Sequence, residues 1–310
     1  MEKMSSKIKM LLKGHNLIRY SLFILFRKKI IKRVNPCRFE SLSMHAHLNY
    51  KPDLEKPKSF NERITYLKLY YKNNLWKQCA DKLGSKKYLK SIGLEKYLPK
   101  TYAVYSNSND INEKELPNKY VLKTNNDCGS VFIKNRDDIN LDKIKKALNN
   151  SLRKNYVSST NEWVYEDIEP KIFVEELLIP ESGNDLIDYK FFTFNGEIVF
   201  INVISNRDYD VKNFSVDENY NLLPFIRCYF LPKKIMPAPK CFEEMKMIVK
   251  NIAKNFDFVR VDMYATKDGP RIGELTFFPS SGKGIFIPKK YDFQYGKYFD
   301  KTKLSSIFPK

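Results

Sequence analysis

Residues 258–282, FVRVDMYATKDGPRIGELTFFPSSG, constrain this chain more than any other stretch. Two β-rich runs flank Asp268-Gly269, a dipeptide suited to the tight turn of a hairpin. Side chains alternate along a strand, so Arg260, Asp262 and Tyr264 share one face, and Glu274 and Thr276 share a face of the partner strand. The hairpin sets Asp262 and Glu274 on paired neighbours. Two carboxylates facing each other across a strand pair repel unless a cation lies between them. Magnesium with a nucleotide phosphate would satisfy them, because Mg²⁺ takes one or two carboxylates plus phosphate oxygens. Arg260 would then hold a fixed positive charge beside a transferred phosphoryl group. A solvated hairpin with a cross-strand Arg–Glu pair accounts for the same residues, and local chemistry leaves both readings open.

The remainder reads as helices first and strands afterwards. Residues 60–71 show helical spacing through Ile64, Leu67, Leu69 and Tyr70. Residues 75–92 form a second helical region, broken around Gly84, and residues 51–58, KPDLEKPK, read as a linker. Beyond Pro117-Asn118, strand signals fall at 120–123, 131–134, 172–178, 189–194, 198–204, 259–264 and 271–277. Asn195-Gly196 marks a further hairpin, and residues 142–153 and 241–256 read as helices. This order predicts an α+β fold with antiparallel strands rather than a βαβ series.

Charge and composition exclude several classes. Hydrophobic residues make up 43% of the 310 and aromatics 14%, too many for a wholly disordered chain. The net charge is +19, but residues 1–38 carry 11 Lys and Arg against one acid, Glu2. With the charge gathered in that arm and the aromatics in strand patterns, no nucleic-acid partner is expected. Between Lys7 and Arg33 basic residues alternate with Leu, Ile, Tyr and Phe, a pattern for a basic amphipathic helix lying on an anionic membrane surface. A helix packed on the protein's own core is the alternative. The apolar run at 21–26 is far short of the roughly 20 residues of a membrane span, and it lacks the features of a secretory signal. Cys37, Cys79, Cys128, Cys228 and Cys241 make an odd, unmotified set, which predicts free thiols and a cytoplasmic location. His15, His45 and His47 are the only histidines, so a His-based triad in the main body is excluded. His45 and His47 without a third ligand read as ordinary loop residues.

Three further segments carry weaker signals. In YVLKTNNDCGSVFIK (120–134) a strand ends at Lys123, and amides of 127–130 could cradle phosphates with Lys123 as a point charge, or form a plain hairpin loop. In KIFVEELL (171–178) a buried strand leads to Glu175-Glu176, a carboxylate for an adenine edge or a solvated acidic turn. DKLGSKK (81–87) is a helix start rich in lysine.

These segments occur in one order, and the ordered set resembles the ATP-grasp superfamily, with the TupA-like ATP-grasp family of surface-polysaccharide and teichuronopeptide synthesis the nearest likeness. KPKSFNERITYLKLYYKNNLWKQCADK is similar to that family's N-terminal stretch, and PNKYVLKTNNDCG, EELL, DYKFFTFNGE, FVRVDMY and GELTFFPSSG follow in its sequence. The resemblance covers about residues 50–300 and implies two α+β lobes clasping a nucleotide behind a helical N-terminal region. On that pattern residues 1–50 are the basic amphipathic arm, 51–118 the helical region, 119–180 the small lobe or lid, and 181–310 the large lobe with the metal site. It implies ATP and Mg²⁺ as cofactors. Lys86 and Lys123 look like the phosphate-contacting lysines, and Asp127, Gly129 and Ser130 like the small phosphate loop. Glu175, Glu176 and Leu177 resemble the adenine-reading hinge. Asp188 and Lys190 match the element near ribose and phosphates, and Arg207 the basic residue after the next strand. Arg260, with Arg207 and Lys190, would act on the transferred phosphate. Asp262, Glu274 and Thr276 occupy the metal-ligand positions, although Thr276 stands where many such enzymes carry Asn, and Ser280 where a Gly usually follows the proline.

The resemblance implies a carboxylate–amine ligase that phosphorylates a carboxylate and lets an amine attack the acyl phosphate. The implied substrates are a uronic acid or other carboxylate and an amino acid or related amine, small or on a lipid-linked glycan. The alternatives are a glycosyltransferase using the DxD triplet Asp208-Tyr209-Asp210, and a non-catalytic ATP-grasp protein.

Overall fold

The computed structural model describes residues 20–26, 34–48, 50–126, 131–134, 141–154, 156–183, 185–205, 211–229, 231–232 and 234–309. Its centre is a helix. α2 (Phe60–Tyr70) is opened by a capping box in which Ser59 and Glu62 bond each other's backbone N–H groups. The expected stripe holds for Ile64 and Leu67, but Tyr70 is 54% exposed and the polar residues Asn61, Glu62, Arg63, Thr65 and Lys68 are buried as well. A helix enclosed on most sides has no solvent face to leave polar. Its Phe60 ring touches Phe192, Phe194, Phe258, Phe286 and Phe299, with centroids 5.7 to 6.4 Å away.

α1 (Pro36–His47) precedes it and buries Phe39, Glu40, Ser43, Met44 and Ala46. This part of the basic arm is therefore packed onto the body. His45 and His47 lie in this helix, not in a loop, and their Nδ1 atoms meet the carbonyls of Tyr50 and Ser43. The linker expected at 51–58 is also pinned: Leu54 is buried, and Glu62 accepts from the N–H groups of Asp53 and Lys58.

The helical region predicted at 75–92 is two helices, α3 (Asn74–Ala80) and α4 (Lys82–Ser91). The break falls at Asp81 rather than Gly84, because the Asp81 carboxylate caps α4 through the N–H of Leu83 at 3.0 Å. Gly84 serves a close approach, since a Cβ there would collide with the carbonyl of Gln78.

Two antiparallel sheets follow. The smaller has the order β1 (Thr101–Tyr105), β4 (Ile172–Glu176), β2 (Tyr120–Thr124), β3 (Val131–Lys134). α5 (Leu141–Leu152) covers it, and Ile144 and Leu148 join Leu122, Ile172 and Val174 in a separate core. A further helix, α6 (Tyr156–Thr160), leads back to β4. The larger sheet has the order β10 (Gly269–Thr276), β9 (Phe258–Thr266), β5 (Asp188–Phe194), β6 (Glu197–Ser205), β7 (Lys212–Val216). β1 and β7 lay outside the predicted strands. A small pair, β8 (Ile226–Arg227) with β11 (Phe286–Ile287), and two helices, α7 (Phe242–Ala253) and α8 (Lys290–Gly296), complete the described elements used below.

Alternation along β5 and β9 decides where a site can lie. Phe191 points to α7 and stacks on Phe242 at 6.2 Å. Phe192, Phe194 and Phe258 point the other way, under Phe60. Lys190, Arg260 and Asp262 share that second face by their spacing. α2 covers only the phenylalanine half, and the charged half is left to face a cleft.

Candidate active site

That cleft has a volume of about 370 Å³. Its walls include Lys86, Lys123 and Glu175 from the small-sheet side and Lys190, Arg260, Glu274 and Thr276 from the large sheet. These seven of the sequence-predicted residues thus meet from segments that lie far apart in the chain, while Asp262, buried under Arg260, does not itself line the cleft.

On the large sheet, Asp262 pairs with Glu274 and with Lys190, and Arg260 pairs with Thr276. A register shift between Ile272 and Glu274 makes Gly273 the extra residue of a β-bulge. A Cβ on Gly273 would stand 2.7 Å from the Tyr264 ring, so only glycine fits without displacement. The Arg260 guanidinium binds Asp262 Oδ1 at 2.6 Å and Oδ2 at 2.7 Å, Glu274 Oε1 at 2.5 Å and the Thr276 hydroxyl at 2.9 Å. Lys190 contributes a second cation, bonded to Asp262 and, at 2.7 Å, to Asp188.

Burial is uneven across this cluster. The Asp262 side chain is 2% exposed and that of Glu274 is 39% exposed. Burial pushes the Asp262 carboxyl up, against the pull of Arg260 and Lys190. Burial also works to raise Glu274, but Arg260 and Lys190 outweigh it and hold that carboxyl at about 2. Burial alone would lower Arg260; Asp262 and Glu274 more than offset it and lock the cation on. Glu274 is therefore the anionic oxygen donor that opens to the cleft.

On the small sheet, Glu175 bridges Lys86 at 2.6 Å and Lys123 at 2.5 Å. Burial favours its neutral form, but Lys123 and Lys86 outweigh burial and draw its pKa down. Burial lowers Lys86, with Glu175 opposing. Lys86 also donates to the Pro99 carbonyl at 2.7 Å and to the Thr101 hydroxyl at 2.8 Å.

Four expectations stand differently. Glu175, expected with Glu176 at an adenine edge, has its carboxylate engaged by the two lysines. Glu176 points to the other face of β4, where it accepts from the Lys100 N–H at 3.1 Å, as strand alternation requires. Leu177 lies beyond β4 and lines a small separate cavity with Arg271, not the main cleft. Asp188 is wholly buried behind Lys190 and does not line the cleft. Asp127, Gly129, Ser130, Arg207, Asp208 and Asp210 lie outside the described residues.

Other lining residues are ones the sequence does not single out, Lys82, Tyr156, Glu162, Tyr165 and Ser281, and they join Ser280, the departure noted after the proline. Ser280 and Ser281 hold left-handed φ values of 54° and 53°, which no local pattern announces. Beneath them, Gly282 packs on Thr65 of α2 and Lys68 donates to Ser281. A lysine four residues after Ile64, on the apolar stripe of a helix, is the one signal that pointed there.

Two antiparallel sheets, flanked by helices and meeting over a charged cleft, are the α+β arrangement of the ATP-grasp fold. The family model described as TupA-like ATPgrasp matches residues 62–300, and the chain belongs to that family. Comparison with curated proteins finds no match. Among solved structures, a D-alanine–D-alanine ligase from Bacillus anthracis complexed with ATP is 19% identical, over 74% of this chain and 66% of that one, with a TM-score of 0.43. The ATP-grasp ligase PsnB, complexed with its minimal precursor, is 15% identical over 64% of this chain and 51% of its own, with a TM-score of 0.37. An N5-carboxyaminoimidazole synthase from Aspergillus clavatus is 13% identical over 64% and 44%, with a TM-score of 0.37. The chain spans about half to two thirds of the length of the first two. These likenesses are remote, and the membership rests on the family match.

Proposed function

We propose that the protein is an ATP-dependent ligase that joins a carboxylate to an amine through an acyl phosphate. The observation that carries this reading is the Arg260 fork, bonded to Asp262, Glu274 and Thr276 on the wall of a cleft that Lys86 and Lys123 also line. A triphosphate needs several cations around it, and a transferred phosphoryl group needs one held rigidly. Lys86 and Lys123 suit the first task because an ammonium on a flexible stem can exchange Glu175 for a phosphate oxygen. Arg260 suits the second.

The residues also fit Mg²⁺. The donor set is oxygen only, two carboxylates and a hydroxyl, which suits a hard cation. Among the described residues no group of three His, Cys, Asp or Glu side chains could hold a metal by itself. Two protein carboxylates completed by phosphate oxygens and water are the usual arrangement for this ion. Glu274 and Asp262 would hold it, with Thr276 beside them, and it would supply charge neutralisation at the phosphates. Lys190 works against the burial that pushes the Asp262 carboxyl up, and holds it in place. No nucleophilic side chain is required.

For substrates we propose a uronic acid or similar carboxylate and an amino acid or related amine, in the building of a cell-surface polysaccharide at the cytoplasmic face of the membrane. The family's association is the support for this. We propose further that residues 1–38 dock on an anionic membrane. Residues 20–26 are helical, with Phe23 buried against Phe39 while Leu22 and Leu25 are 51% and 73% exposed. Among the described residues no helix is long and apolar enough to cross a membrane. Anionic vesicles should bind the full chain, and Leu22→Glu with Leu25→Glu should abolish that binding; equal binding by both proteins removes the docking proposal.

Calorimetric titration with MgATP tests the main reading. Wild type should bind in a magnesium-dependent way, and Glu274→Gln should weaken binding by about 1–3 kcal/mol, the cost of a lost charged contact. A wild type that ignores MgATP would refute the reading.

A further inference from the structure

Glu40 lies upstream of the family match, yet its side chain is fully buried. A buried carboxylate must be paired. Lys68 binds its Oε2 at 2.8 Å and Lys283 approaches the same oxygen at 3.2 Å. Asn161 donates to its Oε1 at 2.8 Å. Lys68 is further bonded to the Ser281 carbonyl at 3.3 Å and hydroxyl at 3.0 Å. α1 thus ties together α2, the loop after β10 and the segment before β4.

The purpose of that tie is legible at the next residue. Asn161 has a left-handed φ of 56°, and its bond to Glu40 fixes that conformation. Glu162 follows and opens a short helical turn, Trp163–Tyr165, anchored by the buried Trp163 and Val164. The chain is therefore held on both sides of Glu162. Glu162 lines the cleft, as do Tyr156, Tyr165 and Ser281. The charged groups around it are Lys68, Lys283 and Glu40, with Ser281 as a hydrogen-bond partner. Burial raises its pKa despite Lys68, Ser281 and Lys283, so this carboxylate readily takes a proton.

Two lysines beside Glu162 disfavour a permanent cation. A primary amine is different, because it can shed a proton, and neighbouring ammonium groups favour its neutral form. Resting on the ligase reading above, we infer that Glu162 binds the amino group of the amine substrate and accepts its proton. One proton passes from the ammonium to the Glu162 carboxylate. The nitrogen lone pair then forms a C–N bond to the acyl phosphate carbonyl carbon. The C–O bond to phosphorus's oxygen breaks, and the departing phosphate takes the remaining surplus proton from nitrogen.

The test uses the full chain loaded with Mg²⁺ and a non-hydrolysable ATP analogue, titrated with ¹³C-methylamine and followed by carbon NMR. The methyl shift reports both binding and the protonation of the nitrogen. Wild type should show a saturable site in which methylamine is neutral at a pH where free methylamine is charged. Glu162→Gln should weaken that site by about tenfold, or 1.4 kcal/mol, with nucleotide affinity unchanged. Glu162→Asp should retain part of the site, and tetramethylammonium should not compete. Unchanged methylamine binding in Glu162→Gln, a bound amine still protonated, equal competition by tetramethylammonium, or no saturable site would each overturn the inference. Those outcomes leave nucleotide binding intact. Failure to bind the nucleotide analogue instead brings down the ligase reading and this inference with it.

Discussion

The cleft is walled by two charged clusters built on opposite plans. On the small sheet one carboxylate, Glu175, sits between two lysines. On the large sheet one guanidinium, Arg260, sits between two carboxylates, with Lys190 and Asp188 behind. The first holds two cations against one acid, and its cations ride on flexible stems. The second holds two cations against three acids, and its central cation is a planar fork with fixed directions. A surplus of mobile positive charge suits an arriving polyanion. A surplus of fixed negative charge suits a divalent cation. The difference teaches that the two halves of a nucleotide site can be told apart by which sign is in excess and which is rigid.

Breaking the rigid cluster should cost most. Arg260→Ala leaves Asp262 and Glu274 facing each other with Lys190 alone to offset them, and denaturant unfolding should show a loss of about 3–5 kcal/mol. Another buried acid sharpens the contrast. Asp292 is held by neutral donors, Asn61 and Tyr50, and burial pushes it up to about 6 despite them. Between about pH 4 and 6 the folded chain keeps this proton and the unfolded chain loses it, so stability should fall as pH rises through that window. The span is up to about 3 kcal/mol, and Asp292→Asn should flatten it in unfolding curves taken at both ends. Glu175→Gln should cost less, about 1–3 kcal/mol, since it removes charged hydrogen bonds from lysines that can turn elsewhere. Calorimetry should then show MgATP binding tightened, because two lysines are released; unchanged affinity would mean that they do not meet the nucleotide. Glu176→Ala, one position along the same strand, should stay within about 0.5 kcal/mol and leave nucleotide binding alone.

Much of the large sheet was legible from alternation and from two glycine-containing turns. Asn195-Gly196 and Asp268-Gly269 both close hairpins as read, with φ values of 85° and 92° at the glycines. β1 was missed because Thr101–Tyr105 is a short edge strand whose alternate residues are exposed, so its only buried-face signal is weak. The packed linker was missed because Pro52 and Pro57 read as loop punctuation, while Glu62, which fixes the segment, lies in the following helix. Glu162 and Glu40 left no sequence signal, since partners distant in the chain, such as Asn161 for Glu40, 121 residues away, are set only by the fold. The facing of Asp262 and Glu274 came out as read, but alternation alone does not produce it. Continued from the turn, the register that pairs Ile272 with Met263 would set Gly273, not Glu274, opposite Asp262.

That bulge lets the hairpin carry one residue more than a regular ladder would hold. With Gly273 deleted, the register that sets Ile272 opposite Met263 would bring Glu274 directly opposite Asp262, on the face it already occupies. The pairing would survive; what would go is the local bend and twist that a bulge gives its strand. Gly273 therefore governs the aim of the carboxylate and not its side of the sheet, as a shim tilts a part without moving it to another wall.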